Sequence, residues 1–303
     1  MRKPACFIVV ALLAAACNSA TKAANEQPAP VASFPVTING VTINEQPQRI
    51  VSLSPTATEM LFAIDAGVQV IAVDDQSNYP ADAPKTDLSG FEPNVEAIAG
   101  HQPDLVVFAN DLNDLAAGLD KVGIPGLLHA AAATLDDTYT QIEQLGLVTG
   151  HPAEAAELID DMKAGIDEIT ASLPSFDVAP TYYHELDQTY FSVTSSTFIG
   201  GVYALLGLEN IADPADTQGS GYPQLSAEAI IDADPDLIFL ADTKCCGQSA
   251  STVAARPGWD KITAVRNGGV VLLDDDIASR WGPRVVEFLS TVADALKELE
   301  AAA

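Results

Sequence analysis

Short apolar runs alternate with amphipathic stretches along most of this chain. Residues 49–53 (RIVSL), Val70–Val73 and Leu105–Phe108 are continuous apolar runs, the pattern of strands buried on both faces; residues 126–129 form a fourth. Between them lie helix signals. Ser54 offers a hydroxyl N-cap, Pro55 suits the first turn, and Thr56 with Glu59 has capping-box spacing. Gly67 is expected to end that helix. A short helix is expected over 96–99 and another over 113–122. The same alternation restarts near Pro180, and a last helix is expected over 283–299. Strands alternating with helices predict an α/β fold with parallel sheets and right-handed crossovers.

The two halves share a pattern. Glu96-Ala97-Ile98 precedes Pro103-Asp104-Leu105 by the same interval that separates Glu228-Ala229-Ile230 from Pro235-Asp236-Leu237. Upstream of each block, Gly67 with Ile71-Ala72 matches Gly207 with Ile211-Ala212. Two matched blocks in one order predict two lobes of one design; a single long repeat is not a solenoid. Between the lobes, apolar residues at 155, 158, 159, 162, 166, 169 and 173 keep a helical period, interrupted only by Gly165. The expected architecture is two doubly wound lobes with parallel sheets joined by one long α-helix. The N-terminal lobe covers 36–135, the interdomain helix segment 136–176, and the C-terminal lobe with the final helix 177–303. A single stiff connector favours small rocking over wide closure.

The first residues place the chain. Arg2 and Lys3 precede an apolar run over 7–16, too short for a bilayer-spanning helix of about 20 residues. Residues 1–16 therefore read as a signal peptide. Leu13-Ala14-Ala15-Ala16-Cys17 looks like a lipobox, with Cys17 lipidated and the chain anchored outside the cytoplasm; plain secretion is the alternative. Residues 17–35, small, polar and proline-rich, read as a flexible tether.

The net charge is −28, and losing Arg2 and Lys3 makes it more negative. Such a surface repels nucleic acid and suits a saline habitat better than it argues for cation collection. With 48% hydrophobic residues in 303, two lobes can each bury a core.

Once Cys6 and Cys17 are set aside, only the adjacent Cys245 and Cys246 remain. In an oxidising compartment they are either a vicinal disulfide or two unbridged thiols. No third ligand is spaced to make them a zinc site. The chain lacks the G-x-S-x-G, H-E-x-x-H, P-loop and G-x-G-x-x-G signatures, so no enzyme and no resident cofactor is expected. Of four histidines, His184 lies in the cluster Tyr182-Tyr183-His184-Glu185 and either ligates or hydrogen-bonds; His101, His129 and His151 read as structural or exposed. Trp259 reads as a packed anchor.

Taken together, residues 49–67 (RIVSLSPTATEMLFAIDAG), Asp75-Gln76-Ser77-Asn78-Tyr79-Pro80, the two repeat blocks and Asp276-Ile277-Ala278-Ser279-Arg280-Trp281-Gly282-Pro283-Arg284 resemble one family. It is the helical-strut class of periplasmic binding proteins for vitamin B12, haem and ferric siderophores, and the resemblance covers residues 45–300. It implies a monomeric extracytoplasmic protein that hands a bulky metal chelate to the permease dimer and ATPase of an ABC importer. Cobalamin and ferric siderophore are the two expected cargoes. A haem or free-metal binder of the same shape, or a structural lipoprotein, are the alternatives. The resemblance places Tyr79, Phe91 and Tyr222 as aromatic walls of an interlobe cleft and Asp276 and Arg280 at its polar edge. Tyr183, His184 and Trp281 join them as candidates. Ile277 stands where cobalamin binders carry an aromatic. By the same resemblance, Glu96 and Glu228 dock one on each permease subunit; the alternative is that each only favours its helix N-terminus.

Overall fold

The computed structural model describes residues 32–302. The expected signal peptide, Cys17 and the tether as far as residue 31 lie outside the described residues. Among the described residues there are ten strands: β1 (Val36–Ile38), β2 (Val41–Ile43), β3 (Ile50–Leu53), β4 (Val70–Val73), β5 (Leu105–Phe108), β6 (Gly126–Leu128), β7 (Thr181–Glu185), β8 (Glu209–Asn210), β9 (Leu237–Leu240) and β10 (Val270–Leu272). β1 and β2 form an antiparallel hairpin turned at Asn39-Gly40, both with positive φ, as a tight hairpin turn requires.

The other eight strands make two four-stranded parallel sheets, ordered β4-β3-β5-β6 and β8-β7-β9-β10. The order is the same in each lobe: second, first, third, fourth. The sequence repeat is therefore a structural one, and its Pro-Asp-Leu block has a mechanical reason. Asp104 accepts hydrogen bonds from the backbone N–H groups of Gln48 and Arg49, at 2.8 and 2.9 Å. Asp236 accepts from the backbone N–H and the hydroxyl of Thr181, at 2.8 and 2.9 Å. Each aspartate, just before the third strand of its lobe, fixes the entry to the first strand.

Side chains alternate between two cores as strand pleating requires. Ile50, Leu105 and Val107 face one core that also takes Tyr182, Leu237 and Phe239 from the other sheet; Val51, Leu53, Val106 and Phe108 face a second, and Tyr183, Ile238 and Leu240 a third. The shared core fills the space between the lobes, together with helices Leu135–Thr149, Pro152–Ala171 and Val285–Ala302. Pro152–Ala171 is the strut, lying against both of the other two helices. Gly165 is explained by this packing: a Cβ there would stand 3.0 Å from Val286 of the last helix. A core continuous across both lobes restrains wide opening.

Three local expectations change. The segment before the strut is itself a helix, Leu135–Thr149, closed by a capping box between Thr134 and Asp137 and ended by Gly150 at φ 85. Helix Pro55–Ala63 is capped by Ser54, as its sequence suggests, but Glu59 takes no part in a capping box: its carboxylate turns to two arginines of the other lobe. That helix stops before Gly67, with Asp65 taking the left-handed turn at φ 61, while Gly67 leaves room for the ring of Phe62.

Candidate functional site

In both sheets the winding reverses between the first and third strands, and at such a switch point the loops beyond the C-terminal strand ends form a crevice. Those loops carry most of the candidate residues. Tyr79 and Phe91 lie between β4 and the helix Val95–Gly100; Tyr222 lies in the equivalent connection of the second lobe, between β8 and Ala227–Ala233. All three rings are exposed, at 45%, 67% and 50%.

Phe91 and Tyr222 are each held out by a built turn. Ser89 Oγ accepts the N–H groups of Phe91 and Glu92 at 3.2 and 3.1 Å, and Gly90 leaves no room for a Cβ, which would stand 2.8 Å from the Leu53 carbonyl oxygen. Asp216 accepts the N–H groups of Ser220 and Gly221 at 2.9 and 2.7 Å, fixing the turn before Tyr222. Those bonds hold the Asp216 carboxyl below its usual range, the Gly221 N–H foremost. The sequence reading missed Phe191, which is exposed on the loop after β7 and pairs with Gln224 beside Tyr222. An aromatic just past a strand end was the signal available.

The polar edge joins the lobes. Arg280 Nη1 donates to Glu59 Oε1 at 2.7 Å and to Asn78 Oδ1 at 3.1 Å; its Nη2 donates to Asp276 Oδ1 at 2.8 Å and to the Gln76 carbonyl oxygen at 3.1 Å. Arg284 Nε donates to Glu59 Oε2 at 2.9 Å, and its guanidinium lies over the Tyr79 ring, 4.2 Å from the centroid. Asn78 Nδ2 donates to Asp276 Oδ2 at 3.0 Å, and Lys244 Nζ reaches the same oxygen at 3.1 Å. Glu59 is thus a buried N-lobe carboxylate gripped by two C-lobe guanidinium groups. Bonds from Asn78 and Lys244, with the Arg280 charge, outweigh burial and hold the Asp276 carboxyl below its usual range. Glu59, Asn78, Arg284 and Lys244 were not chosen as site residues from sequence, because partners so far apart in the chain show no local pattern.

Other candidates are placed elsewhere. Tyr183 and His184 sit in β7 with no exposed surface. The His184 Nδ1 is 2.8 Å from the Tyr203 hydroxyl, and burial lowers its pKa to about 3. Both residues lie within the cores and away from the crevice surface, because β7 is an inner strand covered on both faces. Trp281 is half-buried: its indole N–H donates to Gln141 Oε1 at 3.0 Å and its carbonyl accepts from Thr138 Oγ1 at 2.9 Å, so it ties the crevice edge to helix Leu135–Thr149. Trp259 is buried under Arg256, whose guanidinium stands 4.5 Å from its ring centroid. Glu96 and Glu228 are exposed in the first turns of helices capped by Asn94 and Ser226.

Cys245 and Cys246 are unbridged, exposed thiols on helix Thr243–Cys246, so the vicinal disulfide is not formed here. Consecutive helical positions point about 100° apart, which keeps two adjacent sulfurs from the bonding geometry of a closed ring. Among the described residues, no group of three or more His, Cys, Asp or Glu side chains is placed to hold a metal ion, and no helix is long and apolar enough to cross a membrane. A hollow of about 620 Å³ lies beside β6, lined by residues including Leu128, His129 and Gln144.

Below the cysteine helix, Asp242 is buried beside Glu185, which is held by Arg256 through two bonds of 2.6 Å. Burial, then the Glu185 charge, raises Asp242 to about 7. Folded Asp242 keeps a proton that the unfolded chain releases near 3.8, so the unfolded state binds fewer protons and stability falls as pH rises between those values. Buried neutral His184 and His129, lowered to about 3 and 4, act oppositely: their contribution is lost as pH falls below 6.5. From about pH 6.5 to just above 7, where Asp242 itself ionises, its effect stands alone among these three groups. The melting temperature of the wild type is expected to fall across that window, and that of Asp242→Asn to stay flatter; equal slopes would refute the assignment.

A family model described as periplasmic binding protein matches residues 50–277. An uncharacterized ABC transporter substrate-binding lipoprotein of Bacillus subtilis, YvrC, is 30% identical, with 96% of this chain and 95% of that protein covered. A cobalamin-binding protein of Halobacterium salinarum is 31% identical over 87% of this chain and 74% of its own length. Among solved structures, the periplasmic vitamin B12-binding protein BtuF of Vibrio cholerae is 26% identical with a TM-score of 0.70, covering 84% of this chain and 98% of that one.

Proposed function

Because this chain belongs to the periplasmic binding protein family, we propose that it captures a bulky metal chelate, a cobalamin or a ferric siderophore, between its lobes and delivers it to an ABC importer. The family works outside the cytoplasm as the substrate-binding component beside a permease and an ATPase. The observation that carries the cargo reading is that exposed aromatics stand on equivalent strand-end loops of the two lobes, Tyr79 and Phe91 in one and Tyr222 in the other, while Arg280 and Asp276 bridge to the first lobe at Glu59 and Asn78. Phe191 extends the C-lobe wall. A corrin or siderophore presents apolar faces with amide or carboxylate edges. Aromatic rings cover such faces at low entropy cost, and charged groups meet the edges. The naming of the Halobacterium and Vibrio relatives for cobalamin favours that cargo.

Anchoring through a lipid on Cys17 is part of the same proposal, supported by the description of the Bacillus relative as a lipoprotein. Glu96 and Glu228, exposed at matching positions of the repeat, are its contacts with a twofold permease.

A thermal-shift panel tests the cargo. At 100 times its dissociation constant a ligand stabilises the folded state by about 2.7 kcal/mol. A corrinoid or a ferric siderophore is expected to raise the melting temperature by several degrees. No shift with corrinoids, hydroxamates, catecholates or haem would remove the chelate reading.

A further inference from the structure

The adjacent thiols of Cys245 and Cys246 have no role in the cleft as described, yet they are mounted on its wall. Their helix begins directly after Asp242, at the C-terminal end of β9, among the strand ends that form the crevice. Asp275 fixes it: Oδ1 accepts the Thr243 N–H and hydroxyl at 2.9 and 2.8 Å, and Oδ2 accepts the Lys244 and Cys245 N–H groups at 2.9 Å each. Lys244 between them binds Asp274 at 2.7 Å and Asp276 at 3.1 Å, and Asp276 is the residue bonded to Asn78 across the lobes. An exposed dithiol on a rigid mount, one residue from the interlobe bridge, is placed to touch the cargo.

We propose that this pair supplies a thiolate to the metal of the cargo, and that the protein therefore selects a planar macrocyclic chelate with an exchangeable axial position. Cobalt corrinoids and iron porphyrins have that chemistry; a ferric ion enclosed by six siderophore oxygens does not. The inference rests on the reading that a chelate occupies the cleft. The step is a ligand substitution: the S–H bond breaks and its proton goes to solvent, a sulfur–metal bond forms, and the metal–water bond breaks to release water. No oxidation state changes.

The surroundings suit such a ligand. A trivalent metal brings the positive charge that displaces the proton. The second thiol then donates its hydrogen bond to the bound sulfur, as outer partners of metal ligands do.

The test uses the purified full chain, its thiols reduced and the reductant then removed in the absence of oxygen, with three probes: aquocob(III)alamin, ferric haem and a hexadentate ferric hydroxamate. Absorption spectra and affinities are compared for the wild type, Cys245→Ser, Cys246→Ser and the double variant. At least one macrocycle is expected to change its spectrum on the wild type, and to bind the double variant at least tenfold more weakly without that change. Which macrocycle responds separates corrinoid from porphyrin. An unchanged melting temperature of the ligand-free double variant, expected because both side chains are exposed, shows that folding is not the cause. Identical macrocycle spectra and affinities in the wild type and double variant overturn the inference. Binding of the hydroxamate alone overturns it too, while leaving the chelate-carrier reading intact. Binding of no probe by the wild type overturns both.

Discussion

Glu59→Ala is expected to lower the unfolding free energy by about 3–5 kcal/mol, the range for removing one partner of a buried ion pair. The Glu59 side chain is 2% exposed, and Arg280 and Arg284, which it holds, are 9% and 13% exposed. Alanine leaves two guanidinium groups without the carboxylate they were desolvated to meet. Arg280 keeps Asp276, Asn78 and the Gln76 carbonyl, so Arg284 bears more of the loss. Urea unfolding checks this, and a change under 1 kcal/mol would mean that the three groups are already solvated. Because this network links the first helix of one lobe to the last loop of the other, the variant is also expected to loosen the crevice and weaken cargo binding.

The second large effect is on transport. Charge reversal of both Glu96 and Glu228 to lysine is expected to reduce uptake to background while leaving cargo affinity unchanged. Both side chains are exposed and each lies in the first turn of its helix, so each lysine costs about 0.3–1 kcal/mol for the lost helix-dipole contact and a similar amount for the unfavourable one that replaces it. An uptake assay beside a binding measurement separates the outcomes. Uptake that survives the double reversal would reduce the two glutamates to helix-end electrostatics; a loss of affinity would place them in the cargo site.

Much of the fold was legible because parallel sheets buried on both faces announce themselves as continuous apolar runs. Val70–Val73 and Leu105–Phe108 coincide with their strands. The repeat was legible because it is mechanical: the aspartate before β5 and its counterpart before β9 each clamp the start of a neighbouring strand. The hairpin β1–β2 was missed although Asn39-Gly40 signalled it, since two three-residue strands give almost no alternation to read. Glu59 was misassigned because Thr56 and Glu59 have a capping-box spacing that is locally sufficient. What redirected it lies more than 200 positions along the chain, at Arg280.

The same contrast runs through the site. Tyr79, Phe91 and Tyr222 were singled out by the family resemblance, and all three are exposed. Tyr183 and His184 carry equally suggestive chemistry, but their position inside a strand of an inner sheet position turns both inward. Polarity of a side chain says what it can bind; only the neighbours of its strand decide whether anything can reach it. Trp281 shows a third case, in which an aromatic at the crevice edge spends its N–H on Gln141.

The central claim is that one chelate touches both lobes at once, and backbone amide exchange tests it most directly. Exchange is compared with and without the chelate that the thermal panel selects. Protection is expected in the N-lobe loop 75–92 and, together with it, in the C-lobe loops 186–194, 216–224 and 274–281. Protection confined to one lobe, or centred on the hollow beside β6 at Leu128 and His129, would contradict it.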